Sequence, residues 1–294
     1  MPNSISLVTK YLPELDKVYQ YASKSAVLDT PAAMVRETGD ARTIKFAKMS
    51  MQGMGDYDRT AGYPSGTVTL DWETHTFSQD RARSFEVDAM DDEESFQMSF
   101  GMLSGEFIRT KEVPDTDAYR FATYASNAIT NSNAATADLS TGAGVISALR
   151  TATNAMDEAE VPEEGRILFI TPTNISYVDD LDTTKSKAVL GRFSQIIRVP
   201  QARFYTAITQ YDGSTEGQEA GGYIKNASTG KNINFLVVYP GAIALQAIKR
   251  KVDKVIRPED NQTSDSWKYF FRKYHDAFVY ENKVDGLYCH YATS

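Results

Sequence analysis

The stretch that decides the fold is residues 232–292, NINFLVVYPGAIALQAIKRKVDKVIRPEDNQTSDSWKYFFRKYHDAFVYENKVDGLYCHYA. An apolar strand is predicted at residues 235–238, and the turn residues Tyr239, Pro240 and Gly241 end it. We expect a short apolar helix next, followed by long β-rich segments and an aromatic terminal strand. No acid, base or metal ligand is arranged here as a catalytic site would require. The stretch therefore indicates surface for pairing and packing.

Composition places the chain among ordinary globular proteins. With 294 residues, 41% hydrophobic and 24% charged, it can bury a core as one large domain or two intimate ones. No apolar run approaches the roughly 20 residues needed to cross a membrane, and the first residues do not have the pattern of a secretory signal. The single cysteine, Cys289, excludes an intrachain disulfide framework and fits a reducing compartment.

Charge and aromatic content restrict the classes of partner. The net charge of −8 gives no overall basic surface, which argues against a dedicated nucleic-acid binder but not against a container for DNA. The chain has 17 Tyr and 14 Phe against 2 Trp. Aromatic residues are enriched at protein interfaces as well as in cores, so this excess is compatible with either use.

The first third of the chain predicts an arm and a hairpin. Apolar residues at helical spacing follow Pro13 and predict a short amphipathic helix within residues 1–30. Two alternating segments then flank a glycine-rich run, QGMGDYDRTAGYPSG, which predicts a long β-hairpin. An isolated hairpin is only marginally stable. One of this length carrying Trp72 needs a surface to lie on, either in its own subunit or in a neighbour.

The remainder of the chain predicts an α+β protein. Residues 80–126 are expected to turn helical, with an acidic first turn at 91–94, an apolar stripe at Phe96, Phe100, Leu103 and Phe107, and a break at Pro114. Residues 127–144 predict a polar linker between two regions. Beyond it we expect a helix at 145–159, strands at 166–171 and 195–199, a short helix after Pro172, a flexible loop at 211–222 and a turn at 226–231.

The motifs that would carry chemistry fail on spacing. Ser228-Thr229-Gly230-Lys231 hints at a phosphate loop, but the first glycine is absent and Asn232 replaces the required hydroxyl residue. His75, His275 and His290 have no metal-ligand spacing. Cys289 and His290 are adjacent, so on a strand they point to opposite faces. We therefore predict no catalytic residue, no cofactor and no metal.

Three separated segments carry a resemblance to a known family. They are DRARSFEVDAMDDE at 80–93 with VPDTDAYRF at 113–121, VPEEGRILFITP at 161–172, and the C-terminal stretch, especially VIRP at 255–258, NQ at 261–262 and YHDAFV at 274–279. In content and order they resemble tailed-bacteriophage major capsid proteins, the Hong Kong ninety-seven fold. No single motif is decisive, but the collinear set covers nearly the whole chain.

The resemblance implies a division of the chain into parts. Residues 1–35 correspond to an N-terminal arm, 36–80 to an extended hairpin loop, 81–135 to a peripheral domain with a long spine helix, 136–248 to an axial domain, and 249–294 to return strands of the peripheral domain. It also implies assembly through hexamers and pentamers into an icosahedral head that encloses double-stranded DNA in the virion, built in the host bacterial cytoplasm. The implied partners are other copies of the chain, a separate scaffolding protein, a prohead protease and a portal, and no membrane.

Interface candidates follow from this assignment. The charged residues after the second hairpin strand are expected where the loop would meet the spine helix. The full set of candidates is Trp72, Arg81, Arg83, Asp88, Glu93, Arg272 and Asp276. Three alternative functions stay open: an encapsulin-like cellular compartment with the same fold, a ring-forming head–tail protein, and an α+β enzyme.

Overall fold

The computed structural model describes residues 23–30, 43–60, 62–90, 104–181 and 184–293. The strands are β1 Thr43–Met51, β2 Val68–Thr76, β3 Gln79–Asp88, β4 Ala134–Thr136, β5 Ile167–Ile170, β6 Gln195–Arg198, β7 Ile208–Gln210, β8 Tyr223–Lys225, β9 Ile233–Val238, β10 Ile243–Ile256, β11 Ser266–Val279 and β12 Leu287–Tyr291. The α-helices are α1 Val113–Thr130, α2 Gly142–Glu158, α3 Pro172–Asp179 and α4 Thr184–Leu190. Short 3-10 turns occur at Ala26–Leu28, Gln201–Arg203, Pro240–Ala242, Pro258–Asp260 and Glu281–Gly286. The class is α+β, as predicted.

The predicted hairpin is confirmed. Strands β1 and β2 pair antiparallel from Thr43 opposite Thr76 to Met51 opposite Val68. The glycine-rich run between them forms the tip of the hairpin, where Gly62 adopts a φ of +83°. Glycine takes this left-handed conformation without the steric cost that a side chain would add.

The strand that follows the hairpin corrects the sequence prediction. Residues 80–88 were expected in a helical region, but they belong to β3, which pairs antiparallel with β11 in a three-stranded sheet of order β10-β11-β3. Half-buried and exposed residues alternate along β3, which is the period-two pattern of a strand with one covered face. The pairing partner of β3 lies about 190 residues further along the chain, as for Asp80 opposite Tyr274, so no local pattern indicated this strand.

The predicted apolar helix after Gly241 is also wrong. Only the 3-10 turn Pro240–Ala242 is helical, and β10 begins at Ile243. Strand β10 pairs antiparallel with β11 from Ile243 opposite Val279 to Ile256 opposite Lys268, with bulges after Ile243 and Ile248. The run of Ala and Leu favours a helix locally, but pairing with the aromatic β11 decides the conformation.

A second sheet forms the centre of the molecule. Its order is β4-β12-β9-β5-β6, and every residue of β5 and β9 is buried. On one face, residues of α1 such as Phe121 and Tyr124 pack against Phe169. On the other face, α2 and α3 contribute Leu149 and Val178. The strands and helices predicted for residues 145–199 are thereby confirmed.

Two further predictions need correction around α1. Pro114 does not break the helix: residues 104–107 are helical, a π-helical turn spans Ile108–Glu112, and α1 continues directly with Pro114 in its first turn. A proline ring would clash with the carbonyl four residues back in a regular α-helix, and the wider π turn lies just before it. The predicted linker at 127–144 contains the end of α1 and strand β4, which pairs parallel with β12.

Some sequence predictions lie outside the described residues. These are the first helix of the arm up to residue 22, and the acidic turn and apolar stripe between residues 91 and 103. Across the described part of the chain, no helix has both the length and the apolar character needed to cross a membrane.

Candidate assembly surface

One face of the hairpin is apolar and exposed. In the antiparallel register Ala47 lies opposite Trp72, Met49 opposite Leu70, and Met51 opposite Val68. Directly opposed residues share a face of a two-stranded sheet. Their exposed fractions are 62% for Trp72, 56% for Leu70, 65% for Val68, 55% for Met49 and 69% for Met51. Contiguous exposed apolar patches mark interaction sites in soluble proteins, so this face is a candidate docking surface.

The tip of the hairpin extends this surface. Met54 is fully exposed, and Tyr57 and Tyr63 contact each other edge to face with ring centroids 5.0 Å apart. Both tyrosines are largely exposed. Tyrosine pairs of this kind supply large rigid contact area at a protein interface.

The base of the hairpin is fixed to its own subunit. Ile44 and Phe77 are buried with Leu245 of β10. The Phe46 ring contacts Tyr280 edge to face at 5.4 Å between centroids, and Lys48 Nζ lies 2.7 Å from Glu281 Oε2. Beyond this ion pair, the apolar face formed by Met49, Met51, Val68, Leu70 and Trp72 is not covered by any other described residue of the subunit. The hairpin is therefore anchored at one end and presented to solvent at the other.

The predicted interface residues occupy different environments. Trp72 is on the exposed hairpin face. The Asp88 side chain accepts a hydrogen bond from Met90 N at 2.9 Å, and Arg272 binds Asp80 through two hydrogen bonds of 2.9 and 2.6 Å. Asp276 is buried and accepts hydrogen bonds from Ser78 and from the Tyr119 hydroxyl. Glu93 lies outside the described residues.

The arginines of β3 contact a loop of the same subunit. Arg81 donates to the carbonyl oxygens of Tyr211 and Gly222 at 2.7 and 3.1 Å, and its Nε lies 3.1 Å from Asp115 Oδ2. Arg83 donates to the carbonyl oxygen of Glu219 at 3.0 Å. A groove of about 1250 Å³ lies between β3, the helical residues 106–115 and the 211–222 loop.

A buried ion pair joins the π-helical turn that precedes α1 to strand β11. Lys273 Nζ lies 2.5 Å from Glu112 Oε1 and 2.9 Å from Thr116 Oγ1. Burial lowers the pKa of Lys273 to about 8, and the carboxylate of Glu112 opposes this shift. Sequence reasoning missed this pair because charged residues are normally expected on the surface; Glu112 lies in the π turn, whose geometry no local pattern predicted.

A second buried carboxylate holds an N-terminal segment. Asp117 accepts hydrogen bonds from the Ser23 hydroxyl at 2.7 Å, from the backbone N–H groups of Lys24 and Ser25 at 2.9 and 3.2 Å, and from the Ser25 hydroxyl at 2.7 Å. On the other side, Gln246 of β10 donates to the Ser25 carbonyl at 2.7 Å. Residues 23–30 are thereby tied to α1 and β10 together.

Three of the groups that could act in catalysis, His275, His290 and Cys289, are buried. Burial lowers the pKa of His290 to about 4 and that of His275 well below its usual value, while burial raises the pKa of the Cys289 thiol. His75 lies on the hairpin beside Glu73. Among the described residues there is no group of three or more His, Cys, Asp or Glu side chains that could hold a metal ion.

Solved structures with a similar fold include phage capsids and a virus-like particle. A chain in the capsid structure of Cyanophage P-SCSP1u matches with a TM-score of 0.55 and 14% identity over 91% of this chain and 87% of that one. The capsid structure of Staphylococcus phage Andhra gives 0.55 and 11% over 91% and 83%. A virus-like particle from Pyrococcus furiosus gives 0.56 and 12% over 95% and 99%. No family model matches the sequence, and no curated protein matches it.

These likenesses define the class of fold. They cover 91–95% of this chain and 83–99% of the matched chains, so the similarity concerns the overall architecture and not one shared motif. The chain has the fold of tailed-phage major capsid proteins, which confirms the resemblance predicted from the sequence.

Proposed function

We propose that this chain is the major capsid protein of a tailed phage, and that it assembles through hexamers and pentamers into an icosahedral head enclosing double-stranded DNA. The observation that carries the proposal is the exposed apolar face of a hairpin whose base is anchored in its own subunit. An exposed apolar face of this kind is unfavourable in an isolated monomer. It would be buried if the hairpin of each subunit lies on a neighbouring subunit.

The parts of the fold take roles in this proposal. The hairpin within residues 36–80 lies on an adjacent subunit, and residues 1–35 form an arm. Residues 81–135 and 249–294 form the peripheral domain, and residues 136–248 form the axial domain. The loop at 211–222 faces the axis of the capsomer. A standard protein interface buries about 1,600 Å², and hairpins and arms that wrap neighbours exceed this without enlarging the core.

The proposed role involves no catalysis. The thiol of Cys289 is fully buried, and its raised pKa disfavours the reactive thiolate. His290 stacks on Phe235 with ring centroids 4.9 Å apart, and its Nδ1 lies 3.0 Å from Asn234 Nδ2. These side chains serve the packing of the central sheet.

The remaining partners are proposed from the same role. With a net charge of −8, the wall encloses DNA without gripping a particular sequence. A separate scaffolding protein, a prohead protease and a portal take part in assembly, which takes place in the cytoplasm of the host bacterium. The finished protein is then a component of the virion.

Sedimentation of the purified chain tests the proposal. The chain is studied alone and co-expressed with a candidate for the proposed scaffolding protein. We expect capsomers or closed shells, and nuclease-protected double-stranded DNA in particles recovered from infected cells. A chain that sediments only as a monomer at high concentration in both preparations contradicts the proposal. Shells that contain protein cargo and no DNA would instead point to a cellular compartment.

A further inference from the structure

Two arginines lie where the hairpin continues into the body of the subunit. Only Phe77 and Ser78 separate β2 from β3, and Phe77 is buried in the cluster that anchors the hairpin. Arg81 and Arg83 follow on the same face of β3, because side chains two residues apart on a strand point the same way. Their positions are thus tied to the base of the hairpin.

Arg81 holds both ends of the 211–222 loop. It donates to the carbonyl oxygens of Tyr211 and Gly222, the two residues that close the loop through the hydrogen bond from Tyr211 N to Gly222 O at 2.9 Å. Asp115, largely buried near the start of α1, pairs with the same guanidinium. A planar guanidinium with several N–H donors suits this task, and a lysine ammonium does not.

Arg83 holds the far side of the same loop. It donates to the carbonyl oxygen of Glu219, and a Cβ added at Gly213 would lie 2.8 Å from its Nη1. The loop is therefore packed closely against β3 at two places. Its own hydrogen bonds, from Ser214 N and Thr215 N to Asp212 Oδ1, both 2.9 Å, give it a defined internal shape.

The loop needs this external support. It is joined to the fold through β7 and β8, a pair of three-residue strands, and Gly213, Gly217, Gly221 and Gly222 all adopt positive φ. Glycine loses more conformational freedom on ordering than any other residue. Without the contacts to Arg81 and Arg83, a glycine-rich loop held by two such short strands would sample many orientations.

We infer that Arg81 and Arg83 are positioning residues that fix the orientation of the 211–222 loop relative to the base of the hairpin. Each copy then presents the hairpin and the loop in one preset arrangement. Ordering contact surfaces before association lowers the entropic cost of binding. The positioning is a property of the isolated subunit; its use in assembly rests on the proposed function.

The test measures the orientation of the loop in the isolated subunit. Spin labels are attached at Glu216→Cys in the loop and Ser126→Cys on the exposed face of α1, and pulsed electron resonance gives the distance distribution between them. The native Cys289 is buried, so it does not compete for the label. We expect a single narrow distance peak in the parent, and loss of that peak to a broad distribution in the Arg81→Lys, Arg83→Lys double variant.

Two further variants make the result specific. Arg109→Lys changes an exposed arginine whose contacts are with Glu106, and the peak stays narrow. Arg83→Lys alone removes the Glu219 hydrogen bond but leaves the Arg81 contacts in place, and it gives an intermediate width, which preserves the test if the double variant does not fold. A narrow, unshifted peak in a folded Arg81→Lys, Arg83→Lys variant or, if that variant does not fold, in Arg83→Lys would overturn the inference. Neither outcome depends on whether the chain builds shells.

Discussion

At the scale of single residues, the buried histidines predict how stability depends on pH. His275 and His290 have pKa values lowered by burial, that of His290 to about 4, and Lys273, Arg120 and Arg81 also disfavour the charged form of His275. In the unfolded chain both histidines take up a proton near pH 6.5. Acid therefore favours unfolding, and the stability present above pH 6.5 is lost as the pH falls towards 4.

The His290→Asn variant isolates one of these groups. Asparagine keeps an acceptor for Asn234 but cannot take up a proton. We expect the free energy of unfolding, measured with urea on the isolated subunit, to fall between pH 7 and pH 4.5 by about 1–3 kcal/mol less in the variant than in the parent. The matched control is Tyr288→Phe on the same strand, which keeps the parental pH dependence because a phenol does not titrate between pH 4.5 and pH 7. Identical acid losses in His290→Asn and the parent would contradict the prediction.

The Lys273–Glu112 pair gives a second prediction at this scale. Lys273→Met leaves a buried carboxylate without its ammonium partner, and we expect it to lower the free energy of unfolding by about 3–5 kcal/mol. Adding Glu112→Leu removes the stranded charge, so the double variant is more stable than Lys273→Met alone. Arg272→Met breaks an exposed pair with Asp80 and serves as control, with an expected loss below about 1 kcal/mol. A double variant that loses as much as the two single variants together would refute this account.

Some side-chain environments could be predicted from the sequence and others could not. The alternation of Val68, Leu70 and Trp72 was visible, and it placed these residues on one face. The burial of Lys273 and Asp276 was not visible, because it depends on how β11 packs against α1, and charged side chains are exposed by default. Asp276 was predicted at a subunit interface and lies buried inside the subunit; its contact with a neighbour stays a prediction.

At the scale of elements, the hairpin separates folding from assembly. Lys48 lies opposite Asp71, so replacing residues 49–70 by an Asn-Gly turn shortens the hairpin without changing its register. The segment removed carries most of the exposed apolar face and no member of the buried clusters. We expect the melting temperature of the isolated subunit to change by less than about 4 °C, and electron microscopy to show no stable shells.

A variant at the base of the hairpin is the control. Ile44→Ala removes buried contacts with Phe77 and Leu245, and a substitution of this type costs about 2–5 kcal/mol. It lowers the melting temperature clearly and shows that the measurement responds to lost packing. Intact shells from the shortened chain, or a collapsed melting temperature, would show that the distal hairpin belongs to the subunit's own core.

Elements were predictable where the local pattern and the tertiary environment agree. The hairpin strands alternate in hydrophobicity, and β5 and β9 are short apolar runs between turn residues, so both types were predicted. The charged β3 was predicted in a helical region, and the Ala- and Leu-containing start of β10 was predicted as a short helix. Both are held in the sheet by β11, which lies far from β3 in the sequence, and long-range pairing of this kind overrides local preference.

At the scale of the whole molecule, the fold was predicted from the order of several weak segments and not from composition. The similar solved structures share only 11–14% of residues with the chain, yet the architecture is kept over nearly all of it. What the architecture requires is a pattern of buried strands, a long β10–β11 pair and a helix across them. Many sequences satisfy these demands, which is why no single motif was decisive.

We propose above all that the exposed apolar face of the hairpin is buried against a neighbouring subunit. A cryo-electron microscopy reconstruction of particles assembled from the purified chain, with its scaffolding protein where needed, tests it most directly. We expect a closed shell of hexamers and pentamers in which Met49, Leu70 and Trp72 of each subunit are buried against an adjacent copy. A particle in which this face stays in solvent or folds back onto its own subunit would show that the hairpin does not dock on a neighbour.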